Sequence, residues 1–261
     1  MGGLLETLAL KLVLTPTLIG VATLVGRRWG QAVGGWLVGL PLTSGPVVLF
    51  LALEHGTSFA AEAAQGSLRG LVAEACFTLG YASLAHRGRW PLAFLGGSVG
   101  FALGGAAIQW LAPPPIVLIS IVIAALTLAL RLLPSFTGIA AAVPPQRWDL
   151  PARMVTATLL VLALTSAAGW LGPQLSGLLA TFPLLAGVLT VFAHHAQGKA
   201  AAINVLRGLL MGLFSFAAFF VALGVTLERV GIAAAFATAL AAALAVQTLS
   251  LLLARRILRR L

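Results

Sequence analysis

Charged side chains are scarce in this chain, and their scarcity excludes a soluble globular protein. Asp, Glu, Lys and Arg together make up 8% of the 261 residues, while apolar residues make up 60%. A soluble domain carries about 25% charged residues to face water. The same composition excludes a disordered chain and a nucleic-acid-binding protein, although the net charge of +10 alone would suit the latter. The sequence therefore predicts an integral membrane protein.

Cysteine is nearly absent, since Cys76 is the only one in the chain. The protein therefore has no intrachain disulfide and no thiolate metal cluster. His194 and His195 are adjacent, so they lack the one-turn spacing of a helical ligand pair, and both fall in a segment predicted to be cytoplasmic. His55 is predicted to lie on the opposite side. We expect no metal site and no cofactor, and we interpret these histidines as solvated loop residues.

Long apolar runs are abundant, and nine of them are close to the length of about 20 residues that a transmembrane helix requires. They cover residues 4–25, 32–53, 67–85, 90–111, 116–133, 151–171, 174–193, 203–227 and 231–253. The runs show no alternation of apolar and polar residues, and in lipid only helices or closed barrels satisfy the backbone. The sequence predicts an all-α polytopic integral membrane protein with nine transmembrane helices.

The few remaining charges predict the orientation of these helices. With nine spans, thirteen of the sixteen Lys and Arg residues lie on the side of the C-terminus, and Lys11, Arg69 and Arg229 lie on the other. Positively charged residues concentrate on the cytoplasmic side of membrane proteins. We therefore expect a multi-pass protein of the bacterial cytoplasmic (inner) membrane, with the N-terminus outside and the C-terminus in the cytoplasm.

Glycine and proline recur along the chain at a spacing of 142 residues. Between residues 30 and 80, 15 of 51 positions are identical to the residue 142 positions later. The identical pairs include Gly30 with Gly172, Gly35 with Gly177, Pro41 with Pro183, Gly45 with Gly187, Gly56 with Gly198, Gly66 with Gly208 and Gly70 with Gly212. Backbone geometry decides where glycine and proline are used. The spacing therefore predicts an internal duplication.

The duplication divides the chain into three predicted parts. Residues 1–112 form a first four-helix repeat, residues 113–150 a linker helix with a cytoplasmic connector, and residues 151–261 a second four-helix repeat. Five helices precede the second repeat, so it enters the membrane from the opposite face. Inverted repeats of this kind are found in many transporters. The expected fold is therefore a 4+1+4 inverted-topology repeat.

Two segments of the chain resemble a known family. Residues 36–56 read WLVGLPLTSGPVVLFLALEHG, and residues 179–198 read LATFPLLAGVLTVFAHHAQG. Both are similar to the small four-helix bacterial membrane proteins of the GlpM type, over the second to fourth helix of each repeat. The matching positions are Pro41, Glu54, Gly56, Pro183 and Gly198. The chain departs from that family because it fuses two units through an additional helix. The resemblance implies a four-helix unit and attaches no catalytic role to any residue.

Two interruptions rich in glycine and proline are the first candidate for a binding site. The residues concerned are Pro41, Thr43, Ser44 and Pro46 in span 32–53, and Thr181 and Pro183 in span 174–193. Proline inside a helix removes a backbone hydrogen bond and clashes with the preceding turn. Corresponding interruptions in both halves point to the substrate site of a transporter, so we expect these residues to bind a solute. The alternative is a packing kink that neighbouring Ser and Thr side chains satisfy.

Glu74 is the second candidate, because it is the only acidic residue deep inside a predicted span. An ionised carboxylate in hydrocarbon is costly, so Glu74 must face the interior, find a partner or stay protonated. Lys11 lies at about the same predicted depth. Either the two residues form a structural ion pair, or Glu74 contributes to the solute site and carries a proton that is coupled to transport.

These features favour a membrane transport protein that moves a small neutral, amphiphilic or monoanionic solute by alternating access. A passive small-ion channel and a structural or assembly protein of the membrane are the alternatives. No enzymatic activity is expected, since enzymes that act on lipid cluster acids, histidines or metal ligands at an interface. The expected partners are the solute, the bilayer and anionic headgroups at the C-terminal cluster of Arg255, Arg256, Arg259 and Arg260. No nucleic-acid partner is expected, and a homodimer is compatible with the sequence.

Overall fold

The computed structural model describes residues 41, 44–87, 89–134 and 148–258, together with positions 9, 12, 13, 16, 17, 20 and 24. From residue 44 onward, the described residues form eight helices and no strand. The helices are α1 (Ser44–His55), α2 (Thr57–Ala85), α3 (Trp90–Leu111), α4 (Pro115–Leu132), α5 (Asp149–Ala180), α6 (Leu184–Gln197), α7 (Lys199–Val230) and α8 (Ile232–Leu258). The all-α class is confirmed for this part of the chain.

Several of these helices are long and apolar enough to cross a membrane. Among the described residues, four segments meet both requirements: Trp90–Leu111, Pro115–Leu132, Lys199–Val230 and Ile232–Leu249. A fifth candidate is bent, because Leu150–Ala163 and Thr165–Ala180 of α5 are inclined to each other by 71°. The protein is therefore embedded in a membrane. The count of nine spans stays a prediction, since most of the first two predicted spans lies outside the described residues.

Large apolar side chains cover the outside of the helix bundle. Trp110 is 89% exposed, Trp170 is 95% exposed and Ile116 is 81% exposed. An extended apolar surface marks contact with another apolar phase. The two tryptophans lie at ends of predicted spans, where such rings sit among lipid headgroups. The surface of the bundle thus agrees with contact to lipid.

Glycine forms the sharp corners between successive helices. Gly56 joins α1 to α2, Gly198 joins α6 to α7 and Gly231 joins α7 to α8, with φ angles of 90°, 85° and 79°. Gly172, with a φ of 75°, divides α5 into two helical segments. A residue with a Cβ is strained at such angles, whereas glycine is not. These corners let one helix follow another without a loop.

The ends of the helices follow the 142-residue spacing of the sequence. The C-terminal ends of α1 and α6, the starts of α2 and α7, and the starts of α3 and α8 are each 142 residues apart. The first hydrogen bonds of α1 and α6 show the same spacing. The Pro41 carbonyl accepts from the Gly45 N–H at 2.8 Å, and the Pro183 carbonyl accepts from the Gly187 N–H at 2.6 Å. Glycine and proline set these boundaries locally, so sequence and helix pattern repeat together.

Helices α2 and α7 lie at the centre of the described bundle. Helix α2 packs against α1, α3, α4, α5 and α7, and α7 also packs against α4, α6 and α8. Their fully buried side chains include Leu71, Phe77 and Phe220. Gly224, near the end of α7, lies beside Ala64, near the start of α2. The C-terminal part of α7 therefore lies beside the N-terminal part of α2.

Candidate functional site

The predicted interruption of the second half is present as a break between α5 and α6. Helix α5 ends at Ala180 and α6 begins at Leu184, so Thr181, Phe182 and Pro183 belong to neither helix. Pro183 has no N–H to continue the preceding helix, but its backbone suits the start of a new one. No side chain caps the N-terminus of α6. The break therefore leaves polar backbone groups inside an otherwise apolar bundle.

The interruption of the first half is described in part. Pro41 precedes α1, Ser44 begins it, and Pro46 is buried in its first turn, where a missing N–H is tolerated. Thr43 and Lys11 lie outside the described residues, so the predicted roles of Thr43 in solute binding and of Lys11 as a partner of Glu74 stay predictions.

The two interruptions touch each other. Ser44 Oγ donates a hydrogen bond to the Ala180 carbonyl at 2.8 Å, and both residues are buried. The Ala180 carbonyl is at the end of α5, where the break removes the partner that a continuing helix would supply. The start of α1 and the break at residues 181–183 therefore lie side by side, although 136 residues separate Ser44 from Ala180.

Helix α2 passes this break at very short range. Gly70 lies against Thr181, and Gly177 lies against the backbone of Ala63, so a Cβ at either glycine would overlap its neighbour. Ser67 Oγ lies 3.1 Å from the carbonyl oxygen of Gly177 and 3.1 Å from that of Ala63. Small residues allow helices in membranes to approach this closely. One face of α2 is thus held against the second half of the chain.

Glu74 and Thr78 continue that face of α2. Residues four apart in a helix lie on the same side, and Gly70, Glu74 and Thr78 follow each other at this spacing. Glu74 is 4% exposed and Thr78 is fully buried. In the described part of the structure, neither Glu74 Oε2 nor Thr78 Oγ1 has a hydrogen-bond partner. Unpaired polar atoms in a membrane interior are costly, which makes these two residues the strongest candidates for contact with a solute or a proton.

Phe182, in the middle of the break, packs between α2 and α3. Its ring centroid lies 6.3 Å from that of Phe77 and 5.1 Å from that of Phe101, and both contacts are edge to face. Such pairs stabilise a packed core by about 0.5–1.5 kcal/mol each beyond the area that they bury. The aromatic contacts therefore hold the break against α2 and α3.

Tyr81 and His194 extend the same face toward the end of α2. The Tyr81 hydroxyl lies 2.9 Å from His194 Nδ1, and His194 Nε2 has no partner among the described residues. The interpretation of His194 as a solvated loop residue is wrong, because it is buried and belongs to α6. His195 is exposed, as the sequence predicts, but it also belongs to α6 and not to a loop. Adjacent residues point to different sides of a helix, so the pair is divided between interior and surface.

The Tyr81→Phe substitution is expected to destabilise the protein by about 1–3 kcal/mol, because it leaves His194 Nδ1 buried without its partner. The His194→Leu substitution removes the other partner. Since both changes remove one contact, the double variant should be more stable than the sum of the single effects predicts, by about 1 kcal/mol. Reversible unfolding in detergent micelles measures the four free energies. Strictly additive effects would show that the contact does not stabilise the fold.

Arg69 lies beside this face of α2, in a polar contact that joins three helices. Its Nη1 donates to Oε1 of Gln109 in α3 at 3.0 Å and to Oε1 of Gln174 in α5 at 2.5 Å. The side chain is 5% exposed, and its Nε has no hydrogen-bond partner in the described residues. The sequence did not predict this cluster, because no spacing along the chain relates the three positions.

Comparison with known proteins finds no matching protein family, no matching curated protein and no matching solved structure. The similarity to GlpM-type proteins therefore stays a prediction that rests on residues 36–56 and 179–198.

Proposed function

We propose that this protein is a transport protein of the bacterial cytoplasmic membrane, which moves a small neutral, amphiphilic or monoanionic solute by alternating access. The observation that carries the proposal is the contact of Ser44 Oγ with the Ala180 carbonyl, where two interrupted helices meet close to the face of α2 that bears Glu74 and Thr78. Interrupted helices supply helix ends and free carbonyl groups that bind solutes in many transporters. In this proposal the solute binds between Ser44, residues 181–183, Glu74 and Thr78.

An inverted-repeat core with nine transmembrane helices is part of the proposal. The common spacing of the helix ends supports a duplication. The C-terminal part of α7 lies beside the N-terminal part of α2, as expected for equivalent helices of two inverted repeats. A third observation supports the nine-span topology. Gly70 lies beside Thr181 and Tyr81 lies beside His194, so α2 and residues 181–194 run in the same direction. The nine-span topology requires this, because both segments cross from the outside inward.

A line of polar groups along α2 supports passage through the bundle. The line begins at Ser67, continues through Glu74 and Thr78 and ends at Tyr81 with His194. The fourteen helical steps from Ser67 to Tyr81 cover about 21 Å, which is most of a hydrocarbon core of about 30 Å. Ionisable groups inside a membrane mark ion or proton pathways. We therefore assign Glu74 the role of carrying a proton coupled to solute movement, with Tyr81 and His194 on its predicted cytoplasmic side.

A gated transporter accounts for these contacts better than a passive channel or an assembly protein does. The Ser44 hydrogen bond, the Phe182 packing and the approach of Gly70 to Thr181 close the line near its middle. A channel requires a continuous opening there. An assembly protein has no need of buried polar atoms, at Glu74 and Thr78, that find no partner in the described part of the chain, because such atoms only lower its stability.

The accessibility of position 44 tests alternating access without knowledge of the solute. In a Cys76→Ala background, the Ser44→Cys substitution introduces a single thiol where the interrupted helices meet. A membrane-impermeant maleimide should label this thiol from the outside in intact vesicles and from the cytoplasmic side in inverted vesicles, because each state opens the site to one face. Labelling from neither face would indicate a static contact and contradict transport. Steady ion currents through the purified protein in planar bilayers would favour a channel instead.

Two exposed positions provide matched controls and also test the orientation. Ser58 in α2 is predicted to lie outside, and His195 in α6 is predicted to lie in the cytoplasm; both side chains are exposed. In the same Cys76→Ala background, Ser58→Cys should therefore be labelled only from the outside and His195→Cys only from the cytoplasm. The reverse pattern would overturn the orientation. Labelling of both positions from one side would overturn the number of spans between them.

A further inference from the structure

Arg69 is a buried positive charge that no carboxylate neutralises among the described residues. Gln109 and Gln174 accept its hydrogen bonds through neutral amide oxygens, so they satisfy polar hydrogens but supply no negative charge. Removing an ion from water costs several kcal/mol unless a counter-ion compensates for it. A charge that is retained under these conditions inside a membrane protein marks a functional site.

One edge of the Arg69 guanidinium group makes no hydrogen bond to the described residues. Both of its hydrogen bonds in the described structure come from Nη1, and Nε has none. Nε and Nη2 share one edge of the planar group and form the fork that holds two oxygens of a carboxylate or phosphate. Gln109 and Gln174 thus orient the group through Nη1, and the fork stays unoccupied by the described residues.

The three residues of this cluster come from equivalent depths in the predicted topology. Arg69 is near the start of span 67–85, Gln109 is near the end of span 90–111, and Gln174 opens span 174–193. All three ends are predicted on the outer face. Along α2, Arg69 is about 8 Å from Glu74. The cluster therefore lies between the outer surface and the solute site proposed above.

We infer that Arg69, oriented by Gln109 and Gln174, is the outer binding site for a singly charged oxyanion, a carboxylate or a phosphate diester. One unneutralised positive charge matches one negative charge, and the free fork matches two oxygens. This inference rests on the proposed function only where it names a monoanion as the transported solute. Arg69 Nε is buried in this structure, so the anion reaches the fork when the packing around it opens.

The thermal stability of the purified protein in neutral detergent tests the site, with acetate as the probe. Acetate is expected to raise the Tm of the wild-type protein saturably, because a ligand of the folded state stabilises it. Acetamide, which is neutral and of similar shape, should have no effect, and chloride at equal ionic strength corrects for screening. Arg69→Gln should weaken the affinity for acetate about ten- to a hundredfold. Arg69→Lys keeps the charge but not the fork, so it should lose most of the affinity as well.

The Gln109→Glu substitution keeps the inference testable if the Arg69 variants fold poorly. Its carboxylate would lie about 3 Å from Nη1 and neutralise Arg69, so the protein should fold and lose the response to acetate. Arg207→Gln is the control, since Arg207 donates only to the backbone carbonyls of Leu133 and Pro134 in the described structure and should be dispensable for acetate binding. An unchanged acetate response in Gln109→Glu or in Arg69→Gln would overturn the site.

Lipid nanodiscs distinguish a soluble anion from a lipid headgroup at this site. Wild-type protein and Arg69→Gln are compared in phosphatidylcholine with and without phosphatidylglycerol. Stabilisation by phosphatidylglycerol through Arg69, without a response to acetate, would support the oxyanion site but overturn its assignment to the transported solute. A response to neither ligand would overturn the inference. The labelling of position 44 is independent of these results, so failure of the anion site and failure of the transport proposal are separate outcomes.

Discussion

The Gly177→Ala variant is expected not to fold, because its methyl group would overlap the carbonyl oxygen of Ala63. The obstacle is backbone, not the end of a flexible side chain, so α2 and α5 must separate to admit the methyl group. Separation would also break the contact between Ser67 Oγ and the Gly177 carbonyl. Overpacking costs about 1–3 kcal/mol where side chains can adjust, and here we expect a loss of at least about 3 kcal/mol.

Gly169→Ala is the matched control for this prediction. Gly169 lies in the same helix, and a Cβ built there meets no atom within 4 Å. Alanine has the higher helix propensity, so this variant should be neutral or slightly stabilised. The yield of monodisperse protein on size-exclusion chromatography and its Tm measure both effects. A Gly177→Ala protein as stable as the parent would show that α2 and α5 are further apart, and the proposed solute site would lose its arrangement.

The Glu74→Gln variant is expected to abolish the pH dependence of labelling at position 44. If Glu74 carries the coupled proton, its protonation must shift the balance between outward-open and inward-open states. Glutamine has nearly the same shape but does not titrate, so it holds the protein in the equivalent of the protonated state. The measurement is the labelling rate of the Ser44→Cys, Cys76→Ala protein from each face, over the acidic-to-neutral range, with and without Glu74→Gln.

Two further variants separate Glu74 from other titrating groups. Glu62 is on the same helix but exposed, so Glu62→Gln should leave the pH dependence intact. His194 contacts Tyr81, which lies on the same side of α2 as Glu74. His194→Gln therefore measures how much of the pH dependence comes from His194. A pH dependence that survives Glu74→Gln but disappears in His194→Gln would assign the proton to His194. A dependence that survives both substitutions would remove proton coupling from the proposal and leave the solute site untouched.

The positions of the helix corners could be predicted because glycine and proline act on the backbone locally. Gly56 and Gly198 belong to the 142-residue spacing, and both have positive φ at a junction of two helices. Pro183 stands where α6 begins, as its missing N–H requires. None of these features depends on which helices become neighbours, so the amino-acid sequence alone carries the signal for them.

The polar contacts of the site could not be predicted in the same way. The spacing of Glu74, Thr78 and Tyr81 places them on one side of a helix, but nothing in the spacing states which residue lies opposite. His194 was interpreted as solvated because it falls in a segment predicted to be cytoplasmic, whereas it belongs to α6, which packs mainly against α7, and its ring reaches Tyr81 of α2. Nothing in the sequence indicated the partners of Arg69, since Gln109 and Gln174 belong to two other helices.

Composition and local spacing were sufficient for the all-α class, the embedding in a membrane and the break at residues 181–183, because hydrophobicity and backbone geometry act within a few residues of the chain. Helix packing alone decided which polar groups found partners. The hydrogen bonds of Ser44, Tyr81 and Arg69 join residues that are 40 to 136 positions apart. Each depends on distances of about 3 Å between helices, and such distances exist only after the helices have packed against each other.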